Sequence, residues 1–244
     1  WATALGLLVA MASARVEAST ITYGAVVKAA EQGGQWAGAL RLLAQMASLR
    51  VQTNTITYTS AVSACATGVA WFAAVALLIE MASVRVQSNT ITYNAAVHAC
   101  TKGREWSQVL KLFIGMASAY VEKNTITYNS VITACNNGCE WAQALSLLFE
   151  MASSHVESNT LTYNAAVSSC EKSGQWATAL GLLVAMAPAR VEANTISYNY
   201  AVSACAKSGE WLAAVGLLSE MVVARMEPNT ITYNAAISAC EKGK

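Results

Sequence analysis

The sequence contains 244 residues, of which 55% are hydrophobic and 12% are charged, and its formal net charge at pH 7 is +1. Its longest uninterrupted apolar run, Val69 to Ile79, has eleven residues, whereas a membrane-spanning helix needs about 20, so we expect no membrane span. The near-neutral charge argues against a uniformly basic surface for a polyanion but is compatible with a locally basic groove.

Four residue types recur at an interval of 35 residues, without insertions. Such strict spacing predicts that every repeat meets its neighbours in the same geometry, as in a solenoid. The recurring residues are Tyr23, Tyr58, Tyr93, Tyr128, Tyr163, Tyr198 and Tyr233; Trp1, Trp36, Trp71, Trp106, Trp141, Trp176 and Trp211; Met11, Met46, Met81, Met116, Met151, Met186 and Met221; and Cys65, Cys100, Cys135, Cys170, Cys205 and Cys240.

The chain divides in order into a half repeat, six full repeats and a second half repeat, when the Thr of each Asn-Thr pair is position 1. The predicted ranges are 1–19 (helix B only), 20–54, 55–89, 90–124, 125–159, 160–194, 195–229 and 230–244 (helix A only). Because Trp1 matches Trp36 and Lys244 falls fifteen residues into a repeat, we expect the sequence to start and stop within repeats of a longer array.

The first half of each full repeat predicts a helix, which we call helix A. In the repeat 160–194, apolar residues from Tyr163 to Cys170 follow the i, i+3, i+4, i+7 spacing of an amphipathic helix. Asn159 or Thr160 can supply a capping oxygen at its start. The pair Ser173-Gly174 then lets the chain leave the helix and turn.

The second half predicts helix B, since an apolar stripe runs from Trp176 to Met186. Two antiparallel helices cannot bury both apolar faces alone, so we expect stacked repeats to place the Tyr, Trp and Met residues in a core. The six regularly spaced cysteines are expected there as reduced thiols, because stacked equivalents lie roughly 10 Å apart and a disulfide needs Cα atoms within about 7 Å. The seventh, Cys139, has no visible partners for a metal site.

The other face of helix A, at positions 2, 5, 9 and 13, is the candidate binding surface. The repeated residues Asn-Thr-Ile-Thr-Tyr-Asn-Ala-Ala-Val, then Cys-Glu-Lys-Ser-Gly, Ala-Leu and Met, resemble the pentatricopeptide repeat family, especially arrays from certain algae. The resemblance covers the whole chain, and tetratricopeptide and ankyrin signatures are missing. It implies an all-α fold, namely a right-handed α-solenoid of stacked antiparallel helix pairs. It also implies single-stranded RNA as the partner and a plastid or mitochondrial location.

The resemblance implies that each repeat recognises one RNA base, here through the residues at positions 5 and 35. It also implies that Thr at position 5 with Asn at position 35 recognises adenine. Asn at both positions would recognise a pyrimidine, with a preference for cytosine. The implied site is therefore 5′-N-A-C-C-C-C, since Gly24 has no side chain to read with. The implied base-reading residues are Gly24 with Asn54, Thr59 with Asn89, Asn94 with Asn124, Asn129 with Asn159, Asn164 with Asn194, Asn199 with Asn229, and Asn234, which lacks its mate.

Two more sets of residues follow from the resemblance. Aliphatic residues at position 2 would lie between successive bases, and lysines at position 13 would meet phosphates. The implied base-sandwiching residues are Ile21, Ile56, Ile91, Ile126, Leu161, Ile196 and Ile231, and the implied phosphate contacts are Lys102, Lys172, Lys207 and Lys242. Because Gln32, Thr67 and Asn137 interrupt the lysine row, we expect a shallow salt dependence.

Purely structural roles compete with these interpretations. Asn at position 35 precedes a helix and is a good cap without RNA, and the aliphatic residues at position 2 would equally pack against the next repeat. Arginines at position 31 are expected on a solvated edge of the loop between repeats. They are Arg15, Arg50, Arg85, Arg190 and Arg225.

A protein-interaction scaffold or structural subunit of an organellar assembly, such as a ribosome or photosynthetic complex, is the rival function. The near-zero charge, the incomplete lysine row and the many Ala and Ser residues on helix B favour it. The near-uniform residue pairs at positions 5 and 35 argue against a scaffold, because binding to a protein surface does not require the same pair in every repeat.

An enzymatic function has little support in the sequence. The two histidines, His98 and His155, replace Ser or Arg of other repeats and are expected on the surface. No His-x-Glu with Cys-x-x-Cys, phosphate loop or nucleophile motif occurs. We therefore predict no catalytic residues, no metal site and no cofactor.

Overall fold

The computed structural model describes residues 1–243, and all regular secondary structure in that range is α-helical. Helix A of successive repeats is α2 (Thr20–Gln32), α4 (Thr55–Thr67), α6 (Thr90–Lys102), α8 (Thr125–Asn137), α10 (Thr160–Lys172), α12 (Thr195–Ser208) and α14 (Thr230–Lys242). Helix B is α1 (Ala2–Ser13), α3 (Trp36–Ser48), α5 (Trp71–Ser83), α7 (Trp106–Ser118), α9 (Trp141–Ser153), α11 (Trp176–Met186) and α13 (Trp211–Val223). Among these helices, none combines the length and the apolar character required to cross a membrane.

The helices form two compact units, one from Trp1 to Lys123 and one from Asn124 onward. In the first unit, α2, α4 and α6 pack side by side, and α3 and α5 each pack between two successive A helices. In the second unit, α8, α10, α12 and α14 pack in the same way, with α9, α11 and α13 each between two of them. Each unit is thus an all-α stack of helix pairs, as the resemblance implied.

Each full-repeat A helix starts with a side-chain cap that the sequence encodes directly. Ser19 caps α2, and an asparagine at position 35 of the preceding repeat caps each later A helix by accepting a hydrogen bond from the backbone N–H of the residue at position 3. The residue at position 1 has a different partner: Thr160 Oγ1 donates to the Glu192 carbonyl, 3.1 Å away, near the end of the same repeat. The same contact joins Thr55 to Gln87. The cap is therefore the asparagine, and the threonine ties the helix start to the loop that leaves the repeat.

Helices A and B both end in a residue with left-handed backbone conformation. After helix B this residue is at position 31, where φ lies between 54° and 57° although no glycine occurs there. The next residue closes the turn, as when Val51 N–H donates to the Met46 carbonyl at 2.9 Å. The position 31 residues are Arg15, Arg50, Arg85, Tyr120, His155, Arg190 and Arg225, and all of them are exposed. After helix A the left-handed residue is at position 15: Gly34, Val69, Arg104, Cys139, Gly174 or Gly209.

The methionines from Met46 to Met221 are fully buried, which confirms their predicted core role. The tryptophan prediction was partly wrong, because these rings are only half-buried or, for Trp211, 42% exposed. Trp36 explains the difference: its ring covers Gly68 in the turn of the next repeat, where a Cβ would clash with it. Tyr233 and Cys240 are likewise exposed, because no further described helix pair packs against α14. The other five regularly spaced cysteines are buried and unpaired, and the regularly spaced tyrosines from Tyr23 to Tyr198 are buried or half-buried.

Candidate nucleic-acid interface

The aliphatic residues at position 2 project into solvent from the first turn of each A helix. Their exposed fractions range from 52% for Ile196 to 85% for Ile21. Packing against the next repeat, the structural alternative for these residues, is therefore wrong. Large apolar side chains at this exposure leave surface that a flat apolar ligand could cover. The full set is Ile21, Ile56, Ile91, Ile126, Leu161, Ile196 and Ile231.

The asparagines at position 35 lie beside this apolar surface and have a fixed orientation. Their Oδ1 atoms accept from the backbone N–H at position 3 of the following helix at 3.0–3.1 Å. Since that N–H requires an acceptor, the amide oxygen must face the helix. In Asn159 and Asn194, Nδ2 makes no hydrogen bond with any described residue. Capping thus uses one end of the amide and leaves its donor end for another partner.

Two side chains at position 5 of the second unit contact the asparagines at position 35. Asn129 Nδ2 donates to Asn159 Oδ1 at 3.3 Å, and Asn164 Nδ2 donates to Asn194 Oδ1 at 3.4 Å. The predicted pairs at positions 5 and 35 are therefore adjacent in these two repeats. Asn129 is half-buried, whereas Asn164 is 8% exposed, so only an edge of the Asn164 amide reaches the surface.

Position 5 amides of the second unit also meet a hydroxyl of the next repeat, which the sequence did not predict. Thr162 Oγ1 donates to Asn129 Oδ1, Ser197 Oγ donates to Asn164 Oδ1, and Thr232 Oγ1 donates to Asn199 Oδ1, each at 2.5 Å. The sequence did contain a sign of this contact, because every A helix carries Thr or Ser at position 3. The hydroxyls are buried at the junction between repeats.

The first unit shows the same junction with other side chains. Thr59 at position 5 contacts the Thr92 hydroxyl, with 2.7 Å between their Oγ1 atoms. Gly24, in the first full repeat, has no side chain, and a Cβ placed there would lie 3.5 Å from Thr57 Cγ2, an ordinary contact. The remaining position 5 residues are Asn94, which is half-buried in α6, and Asn234, which is exposed in α14.

The four lysines proposed for phosphates are all exposed, but two of them have partners within the second unit. Lys172 Nζ donates to the Asn136 carbonyl at 3.0 Å. Lys207 Nζ lies 2.7 Å from Glu171 Oε1, which also accepts from Ser203 Oγ at 2.9 Å. A negative charge therefore lies on the same face as the lysines and competes with any anion for Lys207.

Other reactive side chains are scattered rather than clustered. His98 and His155 are exposed, as expected, and no group of three or more potential metal ligands occurs among the described residues. Burial raises the pKa of the thiols of Cys65, Cys100, Cys135, Cys170 and Cys205 to about 11. These thiols are held neutral, which suits packing rather than nucleophilic chemistry.

Comparison with known families decides which proteins this chain is related to. A family model described as a pentatricopeptide repeat domain matches residues 41–104, 76–138 and 111–173, which together cover 41–173, more than half of the 244 residues. The chain belongs to the pentatricopeptide repeat family. Two other models of pentatricopeptide repeats match residues 193–242 and 161–187. No curated protein matches the sequence.

Solved pentatricopeptide repeat structures share the fold at low sequence identity. The pentatricopeptide repeat protein PPR10 from maize superposes on 100% of this chain with a TM-score of 0.82 and 24% identity, and the chain spans 35% of that structure. PPR10 in complex with an 18-nt psaJ RNA element covers 97% of the chain with a TM-score of 0.53 and 18% identity, and 39% of that structure is matched. The pentatricopeptide repeat domain of Arabidopsis thaliana protein-only RNase P 1, in complex with tRNA, covers 74% with a TM-score of 0.64 and 14% identity, and 95% of that domain is matched.

Proposed function

We propose that this chain binds single-stranded RNA with one base per repeat and acts in organellar RNA metabolism. The proposal rests on a recurring pair of side chains, an exposed aliphatic residue at position 2 and a polar residue at position 5 that is usually asparagine. In the repeats 125–159 and 160–194, the position 5 amide is hydrogen-bonded to the capping asparagine at position 35. An aliphatic side chain can lie between successive bases, and an amide can recognise a base edge. A plastid or mitochondrial location is proposed from the family resemblance alone.

The orientation of the amides supports a preference for cytosine in the Asn-Asn repeats. In the repeat 125–159, Asn129 Oδ1 and Asn159 Oδ1 are both occupied within the protein, so N–H groups are what remains for a base. Cytosine offers the adjacent acceptors N3 and O2, whereas guanine presents N–H donors on the corresponding edge. Two donors facing two acceptors is the favourable arrangement. Together with the Thr59–Asn89 repeat, this supports the proposed site 5′-N-A-C-C-C-C.

Phosphate contacts are the weaker part of the proposed interface. Lys102 and Lys242 are exposed, whereas Lys172 and Lys207 would have to exchange a protein partner for a phosphate. The proposal therefore includes modest affinity that depends on salt less steeply than it would with a complete lysine row.

The experiment that tests the proposal is fluorescence anisotropy with short labelled RNAs. The oligomers A-C-C-C-C and A-G-G-G-G are compared at several salt concentrations, with the wild-type chain and with Asn129→Ala. Preference for the cytosine oligomer, reduced in the variant, is the expected result. Equal and negligible binding of both oligomers would refute RNA reading by this chain.

A protein-binding scaffold is the second candidate, and exposed apolar residues on helix B favour it. In the second unit, Phe149 and Val184 occupy the same position of successive B helices, and each is 74% exposed. In the first unit, Ile79 and Ile114 do so at 67% and 66%. If RNA binding fails, Phe149→Ser together with Val184→Ser would weaken capture of a subunit from an organellar extract, whereas Asn129→Ala would leave it unchanged.

A further inference from the structure

The hydroxyl group at position 3 makes two different hydrogen bonds across each repeat junction of the second unit. Thr162 Oγ1 accepts from the Asn159 backbone N–H at 3.0 Å and donates to Asn129 Oδ1 at 2.5 Å. Asn159 Oδ1 also lies 3.0 Å from this hydroxyl, but the hydroxyl has one proton and Asn129 Oδ1 is the nearer acceptor. Ser197 does the same for Asn194 and Asn164. Because Ser replaces Thr there without loss of either bond, the hydroxyl rather than the methyl group is what the junction requires.

An asparagine amide can rotate by 180° and exchange its donor and acceptor ends. For Asn129, such a rotation would turn Oδ1 toward Asn159 Oδ1, which is already held as an acceptor by the Thr162 backbone N–H. Two acceptors would then face each other. The rotation would also replace the bond from the Thr162 hydroxyl to Oδ1 by one from Nδ2 to that hydroxyl, since a hydroxyl can accept as well as donate. Asn159 Oδ1 therefore fixes the orientation of the amide, and the Thr162 hydroxyl occupies the Oδ1 atom that this orientation presents.

We propose that the position 3 hydroxyl of one repeat is a specificity-determining positioning residue for the base read by the repeat before it. This inference rests on the proposed function. By occupying Oδ1, Thr162 commits Asn129 to offering N–H to a base, and Ser197 and Thr232 do the same for Asn164 and Asn199. Without the hydroxyl, Asn129 Oδ1 has no partner within the protein and can accept from a base, so a base with a donor edge becomes more acceptable.

Thr162→Val tests this inference, because valine keeps the shape of threonine and lacks the hydroxyl. Affinities are measured for four RNAs that carry C, U, A or G at the fourth nucleotide of A-A-C-C-C-C, which the repeat 125–159 would read. We expect discrimination for cytosine at the fourth nucleotide to fall about fivefold or more, the effect of one hydrogen bond. Discrimination at the fifth nucleotide, read by Asn164 with Ser197, should not change. Thr162→Ser should behave as wild type.

Thr22→Val is the matched control. Thr22 accepts from the Ser19 backbone N–H at 3.3 Å at the start of α2, but the preceding residues 1–19 contain no helix A and so no position 5 amide. This variant loses the same capping hydrogen bond but no contact with a position 5 amide. It should lower thermal stability slightly and leave base discrimination at every nucleotide unchanged.

Two results would overturn the inference. One is unchanged discrimination at the fourth nucleotide in Thr162→Val. The other is an equal loss of affinity for all four bases, which would make the hydroxyl a structural element only. If the wild-type chain binds no RNA, the proposed function fails and the reading role fails with it. The side-chain amide signals of Asn129 in the NMR spectrum of the RNA-free chain distinguish the two failures, since a shift of these signals in Thr162→Val but not in Thr162→Ser would still establish the positioning contact.

Discussion

The carboxylate of Glu171 lies 2.7 Å from Nζ of Lys207 in the following repeat. This pair occupies the face of the A helices on which phosphates would bind, so Lys207 must leave Glu171 before it can contact an anion. Glu171 also accepts from Ser203, which holds it in place. The pair lowers the number of phosphate contacts available to the proposed RNA.

Glu171→Gln should therefore strengthen RNA binding. Surface ion pairs are worth roughly 0.2–1 kcal/mol, which corresponds to an increase in affinity of about 1.4-fold to fivefold. The slope of log affinity against log salt should become steeper by about 0.7, the value for one additional phosphate on a single strand. Glu192→Gln makes the same charge change in an exposed loop. Equal effects of both variants would contradict a specific role for Glu171.

Asn159→Asp separates capping from base reading at position 35. Aspartate caps helices as well as asparagine does, so the melting temperature should stay the same or rise slightly. The variant loses the Nδ2 donor and gains an acceptor, which suits the N3–H of uracil better than the N3 atom of cytosine. In anisotropy titrations, preference at the fourth nucleotide should move from cytosine toward uracil. Retention of the cytosine preference would mean that Asn159 serves only as a cap.

Gly24→Asn should add a reading residue to the first full repeat. The new Cβ has room, 3.5 Å from Thr57 Cγ2, and Asn54 already occupies position 35 of that repeat. We expect cytosine at the first nucleotide to become preferred about tenfold, since a good amide–base contact discriminates by roughly 1–3 kcal/mol. Gly24→Ala provides the control, because it adds a Cβ and raises helix propensity, by more than asparagine does, without adding an amide. A cytosine preference in the alanine variant, or none in the asparagine variant, would be the contrary outcome.

Val69→Gly should stabilise the turn after α4. Val69 has φ of 56°, a left-handed conformation that a β-branched residue adopts only at a cost and that glycine adopts freely. Other repeats already carry Gly34, Gly174 or Gly209 at this position. We expect a gain of roughly 0.5–1 kcal/mol, seen as a rise in melting temperature of about 1–3 °C. Val69→Ala keeps the Cβ and should not reproduce the gain; if it does, backbone strain is not the cause.

The buried thiols predict a selective reactivity and a pH dependence. At pH 8 a thiol reagent should modify Cys139 and Cys240 quickly and the five buried cysteines only after unfolding. Burial raises the pKa of those five from 9.0 to about 11, so above pH 9 the unfolded chain loses thiol protons that the folded chain keeps. Stability present below pH 9 should therefore fall as the pH rises toward 11.

A single substitution tests whether the buried thiols cause this loss of folding stability at high pH. Cys170→Ala copies Ala30, which is buried at the same position of the repeat 20–54, and should make the loss smaller in urea unfolding at pH 7 and pH 10. Cys139→Ser changes an exposed thiol and should leave the loss unchanged. Identical pH dependence in wild type and Cys170→Ala would show that buried thiols do not cause it.

Much of the fold was predictable because each repeat encodes its own helix limits. Asparagine before Thr160 supplies the cap, and the apolar stripe ending at Met186 defines the buried face of helix B. What the sequence could not give was the effect of neighbours. The half-buried tryptophans follow from how each ring covers the next turn, and the left-handed arginines at position 31 lack the glycine that usually marks such turns. The candidate site was predicted as a set of positions, but the bond from Thr162 to Asn129 joins different helices and leaves no trace in helical periodicity.

The hydrogen bond from Thr162 to Asn129 also affects how such arrays can be re-engineered. The 35-residue repeat is the unit of sequence, but the group that handles one base extends from position 5 of one repeat through position 3 of the next. A graft cut at position 1 would separate an amide from the hydroxyl that occupies its oxygen and could change the specificity of the neighbour as well as of the insert. Boundaries between positions 3 and 5 of helix A, for example between Thr162 and Asn164, would transfer each amide together with its hydroxyl.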